Sequence, residues 1–196
     1  AVLHDPASRV RELAAARLEG WEDLISLNTL ARALSDAHEN VRLAASQSLS
    51  EIKHAESAQH LAPYLQQQDD FVVASILRAI RELRAESLFD NILQHVQHSN
   101  ALVRKEAVST LSWLQKQQGL TALAEIAQND PDAEIRRIAT GGLGATLNLS
   151  SEILSALHSS LTAEAWQLRV EAALTIGKLK AAELEQALLK QLDDNY

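Results

Sequence analysis

One phrase recurs along the chain at a nearly constant interval. The stretch "DPASRVRELAAARL" begins at Asp5, "DAHENVRLAASQSL" begins at Asp36, and "DPDAEIRRIATGGL" begins at Asp130. When the copies are aligned, aliphatic residues occupy six matching positions 31 to 33 residues apart: Val10, Val41, Val72, Val103, Ile135 and Leu168. Fixed periods of this length are typical of solenoids, in which each repeat buries its apolar face against its neighbours.

Within each copy the apolar residues have the spacing of a helix. Counted from the aliphatic residue, positions 0, 4, 8 and 11 form one stripe on a helix of 3.6 residues per turn. Alanine fills position 4 in five of the six copies, which indicates that another helix approaches closely there. Shorter amphipathic segments at 22–34, 87–96, 151–161 and 181–192 lie between these helices and predict a partner helix for them. Each repeat is then a helix, a turn that carries Asp, Asn or Pro, and a second helix with the repeated phrase. Asp5-Pro6 and Asp130-Pro131 are interpreted as an N-cap followed by proline at the first helical position.

The composition is that of an ordinary folded protein, with 46% apolar and 22% charged residues. A net charge of −8 disfavours a general nucleic-acid binder, because polyanion binding needs a basic surface. The absence of cysteine excludes disulfides and thiolate metal sites. Because no apolar run is long enough to span a bilayer and no signal segment opens the chain, we expect a cytoplasmic protein.

The shared pattern D-x-x-x-x-V-R-x-x-A-A-x-x-L resembles the HEAT repeats of the bilin-lyase-like (PBS lyase) type. This resemblance implies an all-α fold, a right-handed α-solenoid of about six two-helix repeats over residues 1–196. The third copy departs from the pattern with Val73 at the arginine position, and the sixth with Ala163 at the aspartate position. Because neither end carries a polar cap, the chain is expected to be part of a longer array.

Charged residues recur beside the stripe in several copies. They could form an anion-binding ladder, but the favoured interpretation is that each arginine bonds an aspartate or a carbonyl in an adjacent turn and fixes repeat stacking. The set comprises Asp5, Arg11, Asp36, Arg42, Arg104, Asp130, Arg136 and Arg169.

The face opposite the inter-helix core is where solenoids bind partners. On the second helices of the repeats, which carry the repeated phrase, this face predicts a basic stripe made of Arg78, Arg81, Lys105, Lys116 and Arg137. One hypothesis is a groove for an acidic peptide or a phosphate-bearing ligand, with Trp113 as an aromatic anchor beside it. The alternative is a solvated face on which the cations occur by chance. Gly141 and Gly144 on the same face predict close packing or, alternatively, a docking surface for a partner's backbone.

No pattern of catalytic or metal-binding residues stands out. His95 and His98 are three residues apart and could share a helix face, but no further ligand lies at suitable spacing. A single His38-Glu39 pair is too few for the di-iron centre of HEAT-type hydroxylases. We therefore expect a non-catalytic scaffold without a cofactor that binds a protein or an acidic peptide. The alternatives are a chaperone or enzyme subunit of bilin lyase type and a nucleic-acid-binding HEAT-like protein.

Overall fold

The computed structural model of the protein describes residues 5–193, and every regular element in that range is helical. The predicted all-α fold is therefore confirmed. The α-helices run in the order α1 Ser8–Arg17, α2 Leu24–Ala33, α3 Glu39–Ser50, α4 Ser57–Leu61, α5 Asp70–Glu82, α6 Phe89–Leu93, α7 Ala101–Leu114, α8 Leu120–Asn129, α9 Ala133–Gly142, α10 Ser151–Leu161, α11 Trp166–Leu179 and α12 Glu185–Lys190. Short 3₁₀ turns extend several of them, including 62–66 after α4 and 143–145 after α9.

The odd-numbered helices carry the repeated phrase, and the even-numbered helices are the intervening segments. The predicted segment 151–161 coincides with α10, and 22–34 contains α2. The segments 87–96 and 181–192 contain only the short helices α6 and α12, which begin with 3₁₀ turns. Each repeat is thus a pair of helices, as the two alternating apolar patterns predict.

The aspartates of the repeated phrase begin turns rather than helices, so the predicted N-caps at Asp5 and Asp130 are wrong. The N-cap positions are Ala7 for α1 and Asp132 for α9. Asp5 Oδ1 accepts a hydrogen bond from the backbone N–H of Ala7, and Asp130 Oδ1 accepts from Asp132 at 2.8 Å. In each case the bond joins the aspartate side chain to the backbone N–H two residues later and so fixes a turn. The proline of each phrase lies inside that turn.

Two compact units divide the described chain, with the boundary inside α7. The first comprises residues 1–110, and in it α3 packs against α1, α2 and α5. The second comprises residues 111–196, and in it α8 packs on α9 and α10 while α11 packs on α9 and α10. No helix within residues 5–193 is long and apolar enough to cross a membrane.

The aliphatic ladder forms the core of both units. Five of its six members are buried: Val41, Val72, Val103, Ile135 and Leu168. The first member, Val10, is 39% exposed. No helix precedes α1 in the described residues, so no earlier helix covers the side of α1 that carries Val10. The buried residues of α1 are Arg11 and Ala15. The ladder therefore predicted the core in every copy except the first.

Candidate functional site

A groove lies on the open side of the odd-numbered helices of the first unit. Its cavity has a volume of about 530 Å³, within the range of sites that hold small ligands or a few peptide residues. The lining residues are Glu12, Asn40, Leu43, Ala44, Ser46, Gln47, Phe71, Ala74, Ser75, Arg78 and Leu102. They come from α1, α3, α5 and α7, so four successive repeats contribute to one surface. We call it the unit-1 groove.

Both apolar and polar side chains line the unit-1 groove. Leu43 and Leu102 are large apolar side chains that remain about half exposed, and Phe71 lies between them in the sequence of repeats. The Arg42 guanidinium lies 5.9 Å from the centre of the Phe71 ring, a cation–π distance that holds the ring in place. The exposed amides of Asn40 and Gln47 also line the cavity, and Gln47 Nε2 donates to Glu51 Oε1 at 3.1 Å. Such a surface suits a peptide segment that offers an apolar side chain and has backbone groups in need of hydrogen-bond partners.

Arg78 and Arg81 of the predicted basic stripe share one carboxylate. Arg78 donates from Nη2 to Glu106 Oε1 at 2.6 Å, and Arg81 donates from Nη1 to Glu106 Oε2 at 3.1 Å. The Glu106 side chain is only 7% exposed, whereas that of Arg78 is 42% exposed. Arg81 also donates from Nε and Nη2 to Glu82 Oε1. Two guanidinium groups therefore face two carboxylates, and Arg78 lies at the groove as a partly compensated cation.

Arg137 in the second unit is also compensated. It donates to Glu134, three residues before it on α9, and from Nη1 to Glu171 on α11 at 2.6 Å. The hydrogen bonds with Glu134, together with those to Glu171, raise the pKa of the Arg137 guanidinium above its ordinary range even though partial burial opposes this. Arg137 thus joins α9 to α11.

The remaining members of the stripe differ in exposure. Lys105 is exposed on α7, Lys116 is half-buried at the start of a 3₁₀ turn, and Trp113 is about half exposed on α7. Lys105 lies in the first unit, whereas Trp113 and Lys116 lie in the second. Of the predicted groove residues, Arg78 is the one that lines the unit-1 groove.

The glycines near the end of α9 are covered by side chains of α11. A Cβ atom at Gly141 would lie 2.7 Å from Glu171 Oε1, and one at Gly144 would lie 3.3 Å from Lys178 Nζ. At Gly142 a Cβ would collide with the Ser112 side chain and lie 3.0 Å from Leu123 Cδ1. The glycines of this segment are therefore places of close packing.

The repeated arginines bind the turn that precedes their own helix. In each of the five copies, Nη1 donates to the backbone carbonyls six and five residues earlier. These arginines are Arg11, Arg42, Arg104, Arg136 and Arg169. One guanidinium thus satisfies two carbonyls of a turn, which leaves such turns without unpaired acceptors.

Arg11 also reaches the next repeat. Its Nε and Nη2 atoms donate to the two carboxylate oxygens of Asp36 at 2.7 and 2.9 Å, a bidentate pair that is largely buried. These bonds from Arg11, opposed by burial, lower the pKa of Asp36 to about 2. The pair therefore connects the turn before α1 with the turn before α3.

His95 and His98 make hydrogen bonds within the fold. His98 stands at the aspartate position of the fourth copy, and its Nδ1 accepts from the Asn100 N–H, as the aspartates do in their turns. His95 is buried, with Nδ1 2.8 Å from the Asn91 carbonyl oxygen and Nε2 3.1 Å from that of Leu65. In the described part of the chain, no three His, Asp or Glu side chains form a group that could hold a metal ion.

Glu22 connects the segment between α1 and α2 with the segment between α3 and α4, and the sequence pattern did not predict this contact. It accepts hydrogen bonds from the backbone N–H groups of Lys53 and His54, both at 2.8 Å, and from Ser57 Oγ at 3.0 Å. Burial acts to raise the pKa of Glu22, but these donors hold it below its ordinary value. Glu22 has no counterpart at the repeat period, so no periodic signal could have identified it.

Comparison with known protein families identifies the type of repeat. The family model described as HEAT repeats matches residues 1–81 and 73–144, which together make up most of the chain. The chain belongs to the HEAT repeat family. No curated protein matches the sequence significantly.

Solved structures share the HEAT and armadillo architecture. YibA of Escherichia coli has a TM-score of 0.73 at 17% identity, and the match covers 100% of this chain and 74% of YibA. A designed armadillo repeat protein in complex with the peptide (KR)4 has a TM-score of 0.60 at 17% identity, covering 90% and 95%. An archaeal HEAT-like repeats protein from Thermococcus onnurineus NA1 has a TM-score of 0.52 at 19% identity, covering 89% and 81%. At these identities the likeness is one of fold.

Proposed function

We propose that this HEAT-repeat protein is a protein-interaction scaffold whose unit-1 groove holds an extended segment of a partner. The observation that carries the proposal is the cavity formed by four successive repeats, with the exposed leucines Leu43 and Leu102 in its lining. Exposed apolar surface inside a concave site gains free energy when a partner covers it. The peptide in the designed armadillo complex is a property of that protein, and it supports the proposal as a precedent for this architecture.

The surroundings of the groove define the segment that would fit. An apolar side chain would lie against Leu43, Phe71 and Leu102, and Asn40 and Gln47 would hydrogen-bond the peptide backbone on either side. An acidic residue next to the apolar one would reach the exposed part of Arg78, since that guanidinium donates to Glu106 only through Nε and Nη2. The acidic-peptide prediction thus becomes more specific, namely an apolar residue beside a carboxylate.

The wider basic stripe is not needed for this proposal. Glu106 and Glu82 compensate Arg78 and Arg81, and Glu134 and Glu171 compensate Arg137. A purely electrostatic groove would have to compete with these carboxylates. The bilin-lyase subtype, with its chromophore-binding role, stays a prediction from the repeat motif.

Peptide selection from a random library displayed on phage would test the proposal. We expect enriched sequences to share an apolar residue next to Asp or Glu. Their affinity, measured by fluorescence anisotropy, should fall at least about tenfold in Leu43→Glu, because a charge in the groove lining opposes burial of an apolar side chain.

Leu13→Glu is the matched control, since Leu13 is a similarly exposed leucine of α1 that does not line the cavity. Equal losses in both variants, or the absence of any enriched peptide, would reject the groove as a binding site. Enriched peptides without an acidic residue, whose affinity is unaffected by Arg78→Gln, would reject the acidic part of the proposal alone.

A further inference from the structure

Helix α11 in the second unit carries an apolar stripe on its exposed side. Trp166, Val170 and Leu174 are 44%, 49% and 65% exposed, and they lie four residues apart on one face of the helix. Gly177 continues the same stripe, because eleven residues from Trp166 correspond to a rotation of about 20°. No atom lies within 4 Å of a Cβ built on Gly177. This face is apolar, accessible and helical in spacing, and we call it the α11 stripe.

The two ends of the α11 stripe are complementary in shape. Trp166 is the largest side chain at one end, and Gly177 leaves the backbone bare at the other, about 16 Å away along the helix axis. If two copies of α11 pair antiparallel about a two-fold axis near residue 172, Val170 meets Leu174 of the second copy. In this register residue 178 lies opposite Trp166, and the bare Gly177 beside it leaves room for the Trp166 ring of the other copy. Two-fold contacts require such a self-complementary patch.

The charges at the ends of the helix favour the same orientation. Glu164 is exposed just before α11, and Lys180 is exposed just after it. In the antiparallel arrangement the end of α11 that carries Glu164 meets the end of the second copy that carries Lys180, whereas a parallel arrangement would bring ends of like charge together. Antiparallel helices also align their dipoles favourably. Shape and charge therefore both select an antiparallel pair.

From these observations we infer that the α11 stripe binds a second copy of this chain, forming an antiparallel two-fold dimer through α11. The inference is independent of the unit-1 groove, because no residue of the stripe belongs to the first unit. A single helix pair makes a small interface, so we expect a dissociation constant in the range of about 1 µM to 1 mM.

Sedimentation equilibrium of the whole chain, at concentrations up to about 1 mM, tests the inference. Wild-type protein should change from monomer to dimer over this range. Leu174→Glu and Gly177→Leu should each weaken association at least about tenfold, since one places a charge in the seam and the other fills the space for Trp166. Gly177→Leu leaves the monomer intact, because the site is open and φ at Gly177 is not positive.

Charge reversal distinguishes the antiparallel pair from any other contact. Glu164→Lys and Lys180→Glu should each weaken the dimer, and the double variant should restore it, because opposite charges face each other again. Leu147→Glu, at an exposed leucine of the same unit outside the stripe, is the control and should leave association unchanged. A chain that stays monomeric throughout, or a dimer insensitive to Leu174→Glu and Gly177→Leu, would overturn the inference. A double variant that is weaker than both single variants would overturn the antiparallel arrangement.

Discussion

Arg11 shows how one side chain connects two consecutive repeats. Its Nη1 atom donates to the Asp5 carbonyl of its own turn at 2.7 Å, while its other nitrogens hold the Asp36 carboxylate of the next turn. Planar guanidinium geometry allows both at once, which a lysine ammonium could not reproduce. The same residue therefore completes one turn and fixes the position of the next.

Asp36 should make stability depend on pH in the acid range. Its pKa is about 2 in the folded protein against an ordinary value of 3.8. Since the folded pKa is the lower one, the stabilisation is complete above about pH 4 and is lost as the pH falls through about 2. We expect Asp36→Asn to lower the free energy of unfolding by about 1–2 kcal/mol at pH 7, as measured by urea denaturation.

The difference between wild type and Asp36→Asn should shrink as the pH is lowered toward 2. Asp90→Asn, the same change at an exposed position on α6, serves as the control and should alter stability by less than about 0.5 kcal/mol. A difference that is constant between pH 7 and pH 2 would contradict the assigned role of the carboxylate.

At the scale of elements, small residues decide how closely two helices approach. Gly142 ends α9 where Ser112 and Leu123 leave no room for a side chain, whereas Gly177 lies on an open helix surface. Both are helical glycines with ordinary φ, so their sequence context alone does not separate them. Their environments predict opposite effects of the same substitution.

Gly142→Ala should destabilise the protein by about 1–3 kcal/mol, because the methyl group forces Ser112 or the helix to move. Gly177→Ala should stabilise it by about 0.5–1 kcal/mol, because alanine favours a helix and meets no neighbour. Thermal unfolding at a concentration low enough to keep the chain monomeric measures both. Changes of the same sign in the two variants would show that packing at Gly142 has been misjudged.

Glu106 connects α5 with α7 by holding two arginines. Removing its charge leaves Arg78 and Arg81 facing a neutral amide in a site where the carboxylate was almost fully buried. We expect Glu106→Gln to lower the free energy of unfolding by about 1–3 kcal/mol. Because both arginines are partly exposed, this loss is smaller than it would be for fully buried partners. In a double-mutant cycle, combining it with Arg78→Gln should cost less than the sum of the single changes, with a coupling of about 0.5–2 kcal/mol. Additive effects would mean that the two side chains do not interact in solution.

At the scale of the whole molecule, stability should be unevenly distributed. In a repeat protein each repeat is stabilised by its immediate neighbours, so burial within a helix indicates how firmly it is held. Helix α5 contains eight buried residues, whereas α12 contains none. We propose that residues 1–196 form one repeat array, in which protection rises with this local burial.

Native-state hydrogen exchange should therefore show the strongest protection in α5 and the weakest in α12. The backbone amides of α12 should exchange through local opening, at a free energy well below that of α5. Equal protection of the two helices would indicate a single global unfolding event and would contradict the repeat-by-repeat view.

Periodic features of the fold could be predicted from the sequence, and unique contacts could not. The shared position of the repeat predicted burial of Val41, Val103 and Ile135, and all three are buried. The reason is that each copy packs the same side of its helix against neighbouring helices. The pairing of Glu106 and Glu171 with arginines could not be predicted, because a carboxylate that pairs with an arginine 28 or 34 residues away has no local signature in the sequence. Of the residues predicted for a binding groove, Arg78 is the one that lines the unit-1 groove, and the carboxylate that compensates it comes from another helix.

The sequence by itself determined the helix pairs, the repeat period and the aliphatic ladder, since helical periodicity and side-chain size are local properties of the chain. Only the tertiary structure decided which cations are compensated, which glycines are covered and which leucines remain exposed. Those outcomes depend on side chains that come from neighbouring helices, and distances between helices are set by packing rather than by position along the chain. For this HEAT-repeat protein, the architecture is therefore a property of the repeat, while its binding surfaces arise where individual copies differ.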